Sequence, residues 1–200
     1  MPTRSRSTEA DPAAVPGPAA WWQRLLGGRP RQRAGPALWQ IVSLQNDGEL
    51  FCQLANEIGA LASRGGRFQQ GRLERLPPLL RGLFSLAHVD KALGEGGFHR
   101  AFWQGYLAYV PYALEALDML QLRRHGALLA EAIQVYICHE ARIHQLARQG
   151  DFQAFARCAE LRAFEPLSMA YAALAAQAPL AAEVARYARA HTRQLAALWA

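Results

Sequence analysis

The run His139-Glu140-Ala141-Arg142-Ile143-His144 has the ingredients of a zinc-hydrolase helix, two imidazoles flanking a carboxylate. That chemistry needs His-Glu-x-x-His, because histidines four apart share one helical face and close on a single ion. Here they stand five apart. Five residues turn a helix through about 500°, which leaves the two rings roughly 140° from each other. No metal is therefore assigned, and Glu140 with His144 reads as an ordinary surface pair at i, i+4. Nucleophilic catalysis fares no better. There is no Gly-x-Ser-x-Gly elbow, and Ser85 and Ser168 lie in apolar helical stretches with no neighbouring histidine to activate them. The glycines at 94, 96 and 97 precede a helix as a phosphate loop would. They lack the Lys-Ser/Thr ending and the preceding strand. Cys52, Cys138 and Cys158 are an odd, widely spaced set within helical patterns, and are expected to be reduced and mostly buried. The reading is a non-enzyme with no catalytic residue and no cofactor.

Recognition chemistry remains, and it gathers around Gly94-Glu95-Gly96-Gly97-Phe98-His99-Arg100-Ala101-Phe102-Trp103-Gln104-Gly105. Glycine adopts φ > 0 without steric cost, so Gly94 to Gly97 are expected to end one helix and reverse the chain. Phe98, Phe102 and Tyr106 recur every four residues and belong to one buried face. His99, Arg100, Trp103 and Gln104 are then expected to face away from it. A tryptophan beside arginine, histidine and glutamine is the composition of an interaction surface. Glu95, Gly96, Gly97, His99, Arg100, Trp103 and Gln104 are the candidate interaction residues, and the expected partner is another protein.

Charge refines this. The chain of 200 residues carries a net +6, and Arg outnumbers Lys 21 to 1. Residues 1–36 hold six arginines against Glu9 and Asp11, whereas the rest has 16 basic and 14 acidic residues. The positive charge thus sits largely in the leading segment, and the body is near neutral. The densest basic run of the body is Arg64, Arg67, Arg72, Arg75 and Arg81, opposed by Glu74 alone. It is a possible phosphate-contacting loop, or a solvated connection enriched in arginine by base composition.

The elements that carry these residues read as helices almost throughout. Residues 1–36 contain six prolines among Ala, Ser, Gly and Arg and form a disordered basic arm. Within it, Trp21-Trp22-Gln23-Arg24-Leu25-Leu26 either docks on the body, touches a membrane surface or stays exposed, docking being the favoured reading. Residues 37–200 are read as a single α-helical domain. Asn46 with Glu49 marks a helix start, and Leu50, Phe51, Leu54, Ala55, Ile58, Leu61 and Ala62 form the stripe that follows. Arg64 to Leu76 looks like a loop. Pro77-Pro78 opens a helix whose buried side is Leu79, Leu83, Leu86 and Leu93. Pro111 starts another with Leu114, Leu117 and Leu120 inward, and His125-Gly126 breaks it. Leu129, Ile133, Tyr136 and Ile137 define the next, and Gly150-Asp151 is a stop followed by a fresh cap. Phe164–Ala176 and Pro179–Trp199 complete the chain. The fold class is all-α, a compact array of about seven to nine helices. No apolar run approaches the ~18 residues of a membrane span. No apolar segment follows Arg4 and Arg6 before the prolines, so a cytoplasmic protein without a signal peptide is expected.

The glycine turn resembles the signature of the DUF4375 family of DMP19-like DNA-mimic proteins. There an Asn-Gly-Gly-Phe turn runs into a short helix carrying Gln, paired aromatics and a closing Asn. In this chain Glu95 stands in the place of the first Asn, and the closing Asn is not evident. Ala113-Leu114-Glu115-Ala116-Leu117, Gly126-Ala127-Leu128-Leu129 and Tyr187-Ala188-Arg189-Ala190-His191 follow in the family's order. The likeness covers roughly residues 77–199. It implies a bacterial regulator that presents carboxylates as a mimic of DNA phosphates. Glu115, Asp118, Glu131 and Glu140 would be such carboxylates, but Arg100, Arg123 and Arg124 lie near them in sequence and the whole chain is cationic. The resulting expectation is a non-catalytic protein-interaction module acting beside the turn. The alternatives are a DNA-mimic regulator of a DNA-binding protein, or direct nucleic-acid binding through Arg64–Arg81 and the arm. The sequence leaves the oligomeric state open, a homodimer included.

Overall fold

Apolar stripes at helical spacing dictate what forms. The computed structural model describes residues 38–199. The arm expected over 1–36, with Trp21 and Trp22, lies outside the described residues. Helix α1 (Leu38–Val42) leads to α2 (Asp47–Leu61), which starts where Asn46 accepts the amide of Glu49 through its side chain at 2.9 Å. Leu50, Phe51, Leu54, Ala55 and Ile58 are buried along α2 as the stripe requires.

The next stretch departs from the expected loop. Strands β1 (Ser63–Arg64) and β2 (Arg67–Phe68) pair antiparallel about Gly65-Gly66, and α3 (Gln70–Leu73) follows. Phe68 stacks on Phe84 with centroids 5.4 Å apart, and Leu73 is fully buried. These two apolar anchors, with the Arg72 bonds to the Leu61 carbonyl, hold a segment whose arginines and glutamines hide any periodicity.

Helix α4 (Pro78–Trp103) is the central element, opening with Pro78 in its first turn. It packs against α2, the 3₁₀ turn Tyr106–Tyr109, α5 (Val110–Met119), α6 (Arg123–Gln149), α7 (Phe152–Ala156) and α8 (Phe164–Gln177). A second 3₁₀ turn, Ala159–Leu161, precedes α8. Gly150 (φ 72°) ends α6, and Asp151 caps α7 by accepting the amides of Gln153 and Ala154 at 2.9 and 3.0 Å. Helix α9 (Leu180–Ala190) returns to α2, where Arg189 donates to Asp47 Oδ1 and to the Leu44 carbonyl, both at 2.7 Å.

The architecture is all-α apart from the short hairpin. Of ten α-helices among the described residues, α1, α3 and α7 have five residues or fewer, and the other seven fall within the expected number of about seven to nine. Several details differ from expectation. The last helix is interrupted at His191 (φ −118°), so α9 and α10 (Thr192–Trp199) are separate. Helix α6 is kinked at His139 (φ −122°), and Ile137 is exposed rather than buried. Leu114 and Leu120 are half-buried, while Leu117 is core. Cys52 and Cys138 are exposed, and only Cys158 is buried. Helical periodicity places a thiol on a helix, but one polar turn decides its face.

His88 on α4 lies edge-on to Phe84 with centroids 4.3 Å apart and faces Tyr109 at 6.2 Å. Burial, with a smaller push from Lys91, takes its pKa down to about 3. Between pH 6.5 and 3 the unfolded chain therefore binds a proton at this position that the fold rejects. The associated stability is whole above pH 6.5 and falls as pH drops. His99 and His125 are lowered in the same sense, whereas the raised Asp90 and Glu57 oppose it. Urea denaturation at pH 7 and pH 5 should show a smaller pH-dependent loss for His88→Phe than for the parent chain, by up to about 2 kcal/mol. Equal losses in both would exclude His88 as the source.

Candidate functional site

The glycine turn lies inside α4. Helical conformation lapses only at Gly96 and Gly97 and resumes at Phe98, so the element is a broken helix, and the break is narrower than the expected helix end. Gly97 has φ 64° and ψ −162°, a region open essentially to glycine alone. Its Cα faces Ser168 on α8 so closely that a Cβ would stand 2.4 Å from Oγ. A Cβ on Gly96 would stand 2.8 Å from Cβ of Arg100. The turn is thus clamped on both sides. The Phe98 amide donates to Ser168 Oγ at 3.0 Å, and that hydroxyl donates on to the Phe164 carbonyl at 2.7 Å. Beneath it, Phe98 and Phe102 are buried against Phe164, and Phe98 also meets Tyr171 edge-on at 6.1 Å. Tyr106 is buried as expected, but it sits in the 3₁₀ turn beyond Gly105 (φ 77°). Burial, with Glu95 nearby, pushes its hydroxyl up to about 12.

The candidate interaction residues divide. Glu95 and Gly96 are exposed, and Glu95 pairs loosely with Lys91 at 3.9 Å, a surface contact of small worth. Gly97 is half-buried and architectural. His99 corrects the expectation: it is buried, its ring edge-on to Phe164 (5.3 Å) and Phe155 (6.1 Å). Burial holds its pKa down. The reason is that α7 and the turn before α8 fold over the face that helical spacing alone marks as outward. Trp103 is half-buried by the same cover, 5.1 Å from Phe155 and 5.5 Å from Phe152. Arg100 remains available. Its guanidinium lies over the Phe152 ring at 5.4 Å. With the Gln104 amide oxygen turned toward it, Nε and Nη2 donate at 2.8 and 3.1 Å.

On the other side of Gly97, α4 and α8 enclose a cleft of about 360 Å³. Leu93, Ala172 and Ala175 supply apolar walls, and Asp90, Ser168 and Tyr171 are the polar lining. Tyr171 donates its hydroxyl to Asp90 Oδ1 at 2.7 Å. Burial raises the Asp90 carboxyl above its ordinary range, while the Tyr171 bond and nearby His125 pull it partway back. His125, buried 5.9 Å from the Tyr171 ring, has its own pKa lowered by burial. Asp90, His125, Ser168 and Tyr171 all escaped notice as site residues in the sequence. For Asp90 a signal existed: it fills the gap between Leu86 and Leu93 on the buried stripe of α4, the place of an inward residue.

The charged features resolve differently. Arg81 bridges to Glu115 at 3.0 Å and donates to the Glu74 carbonyl, and Arg72 donates to the Leu61 carbonyl. Two arginines of the basic run therefore serve the fold, and one carboxylate of the acidic set is neutralised. Glu140 meets His144 at 3.6 Å, as i, i+4 spacing implies, and Tyr136 Oη lies 3.2 Å from the same Nε2. Among the described residues no group of three His, Cys, Asp or Glu could hold a metal, and no helix is long and apolar enough to cross a membrane.

The model of the family described as DMP19-like protein matches residues 74–191, which span α4 through α9 and hence the turn, the aromatic layer and the cleft. No curated protein and no solved structure matches the chain.

The clamp makes a quantitative demand. Gly97→Ala should lower unfolding free energy by about 2–4 kcal/mol, through strain and the clash with Ser168. Ser168→Ala, which strips the Phe98 amide of its acceptor, should cost about 1–3 kcal/mol. Because both act at one contact, Gly97→Ala combined with Ser168→Gly should cost less than the sum of Gly97→Ala and Ser168→Gly made singly. Additive losses in denaturant titrations would rule out the clamp.

Proposed function

This chain belongs to the DMP19-like family, and from that premise we propose that it is a non-catalytic cytoplasmic protein of bacteria that recognises another protein through the surface around its glycine turn. The observation that carries this reading is the posture of Arg100. Its guanidinium is stacked on Phe152 and held by Gln104 beside the exposed Glu95 and Gly96, so it is ordered before any partner arrives. A side chain already immobilised loses little conformational entropy on binding. Arginine and tryptophan are also the residues in which binding energy concentrates. The contact surface comprises Glu95, Gly96, Arg100, Gln104 and the outer edge of Trp103. Gly97 and His99 support it from within.

The DNA-mimic role implied by the family resemblance requires unneutralised carboxylates spaced like phosphates. Glu115 is tied to Arg81, Glu95 faces Lys91, and the chain carries a net +6. Protein recognition by an arginine-centred surface therefore fits this member better. Direct binding of nucleic acid is weakened in turn by the internal engagement of Arg72 and Arg81.

Quantitative pull-down from lysate of the native host compares the parent chain with Arg100→Glu and Gln104→Ala. Arg100→Glu should reduce recovery of the specific partner at least about tenfold with an unchanged thermal midpoint, and Gln104→Ala should give a smaller loss. Undiminished recovery from folded Arg100→Glu would reject this surface.

A further inference from the structure

The polar groups lining the cleft between α4 and α8 are arranged with one bias. The Tyr171 hydroxyl proton goes to Asp90 Oδ1, and the Ser168 hydroxyl proton goes to the Phe164 carbonyl. One of the two acceptor lone pairs of Ser168 is in turn used by the Phe98 amide. Neither hydroxyl offers its proton to the cleft. What the side chains present there is the Asp90 carboxylate, an acceptor and the one formal charge in the lining.

That carboxylate is poorly compensated. It is largely desolvated, and among the described residues no lysine or arginine forms an ion pair with it. Lys91, its neighbour in sequence, is directed to Glu95, and His125 is held toward its neutral form by burial. A buried carboxylate supported by a single hydrogen bond gains much from an added cationic donor, because both attraction and hydrogen bonding strengthen where water is excluded. Around it stand Leu93, Ala172 and Ala175, which suit a short alkyl chain. The space of about 360 Å³ opens between exposed Gly94 and Ala172. That volume accommodates a short alkyl chain with a cationic head.

From this we infer that the cleft is a binding site for an alkylammonium or alkylguanidinium cation, with its head on Asp90 and its methylenes between Leu93 and Ala175. The same chemistry occurs in free amines and in the lysine and arginine side chains of proteins. The site uses other residues than Arg100 and Gln104 and stands independently of the surface proposed above.

The test follows backbone amide resonances of the isotopically labelled full chain during titration with n-butylammonium and n-butylguanidinium. 1-Butanol serves as the neutral isostere and butyrate as the anion. Saturable shifts at Gly94, Gly97, Ala172 and Ala175 are expected for the cations only. Asp90→Asn keeps an acceptor for Tyr171 and removes the charge. It should weaken binding roughly tenfold or more, the size of one charge-assisted hydrogen bond. Ala175→Leu fills the cleft from a helix surface position and leaves the carboxylate intact, and it should abolish the shifts. Circular dichroism confirms the fold of each variant. A blocked pentapeptide with central lysine completes the series. Tighter binding than n-butylammonium assigns the site to a protein side chain, and weaker binding assigns it to free amines. Absence of saturable shifts, equal response to 1-butanol, or undiminished binding by folded Asp90→Asn would overturn the inference. None of these outcomes depends on the Arg100→Glu pull-down.

Discussion

Ser168 holds two parts of the chain in one arrangement. Its hydroxyl takes the amide that the broken helix releases at Phe98 and passes its own proton to Phe164 one turn back on α8. An amide buried without an acceptor would cost about 1–3 kcal/mol, so the break in α4 is tolerable only while α8 is docked. Docking in turn requires that position 97 carry no side chain. From this contact the aromatic layer follows: Phe98 and Phe102 face Phe164 because the turn aims them there, and α7 closes over His99 and Trp103 through Phe155. The cleft lies beside the same break, between α4 and α8.

Electrostatic groups are used sparingly inside this frame. Arg81 with Glu115 joins α4 to α5, and Arg189 with Asp47 and the Leu44 carbonyl joins α9 to the start of α2. Each pairs a cation with an anion from a distant part of the chain, and each is partly shielded from water. A composition with excess arginine therefore does not translate into a uniformly basic surface. Some of that arginine works as mortar between helices, where its planar fork can reach both a carboxylate and a carbonyl.

Much of this was legible in the sequence. Periodicity located nearly all the long helices, and Asn46, Pro78, Gly150 and Asp151 marked their ends through local chemistry that needs no tertiary information. The matched family span was legible from the turn and the order of the later motifs. What stayed hidden was decided by packing from a distance. His99 looked outward because helical spacing says nothing about α7 covering it. Ser168 looked idle because its partner amide lies 70 residues away. Asp90 and Tyr171, separated by 81 residues, have no shared local signature. The break at His191 has no proline or glycine to announce it, and the hairpin at Ser63–Phe68 is too short to show alternation.

The sequence separation of these contacts bears on how the protein comes into being. A chain made from its N-terminus exposes α4, with Phe98 and Phe102, well before Phe164, Ser168 and Tyr171 have been synthesised. Until then the break at Gly96 and Gly97 has no acceptor for its loose amide, and the aromatic face has Tyr136 of α6 against Phe102 but no partner from α8. Contacts that span so much chain close slowly, and a half-made apolar surface is a place where neighbouring nascent chains adhere. The same serine that stabilises the finished molecule thus reaches the central helix only after 70 further residues have been made.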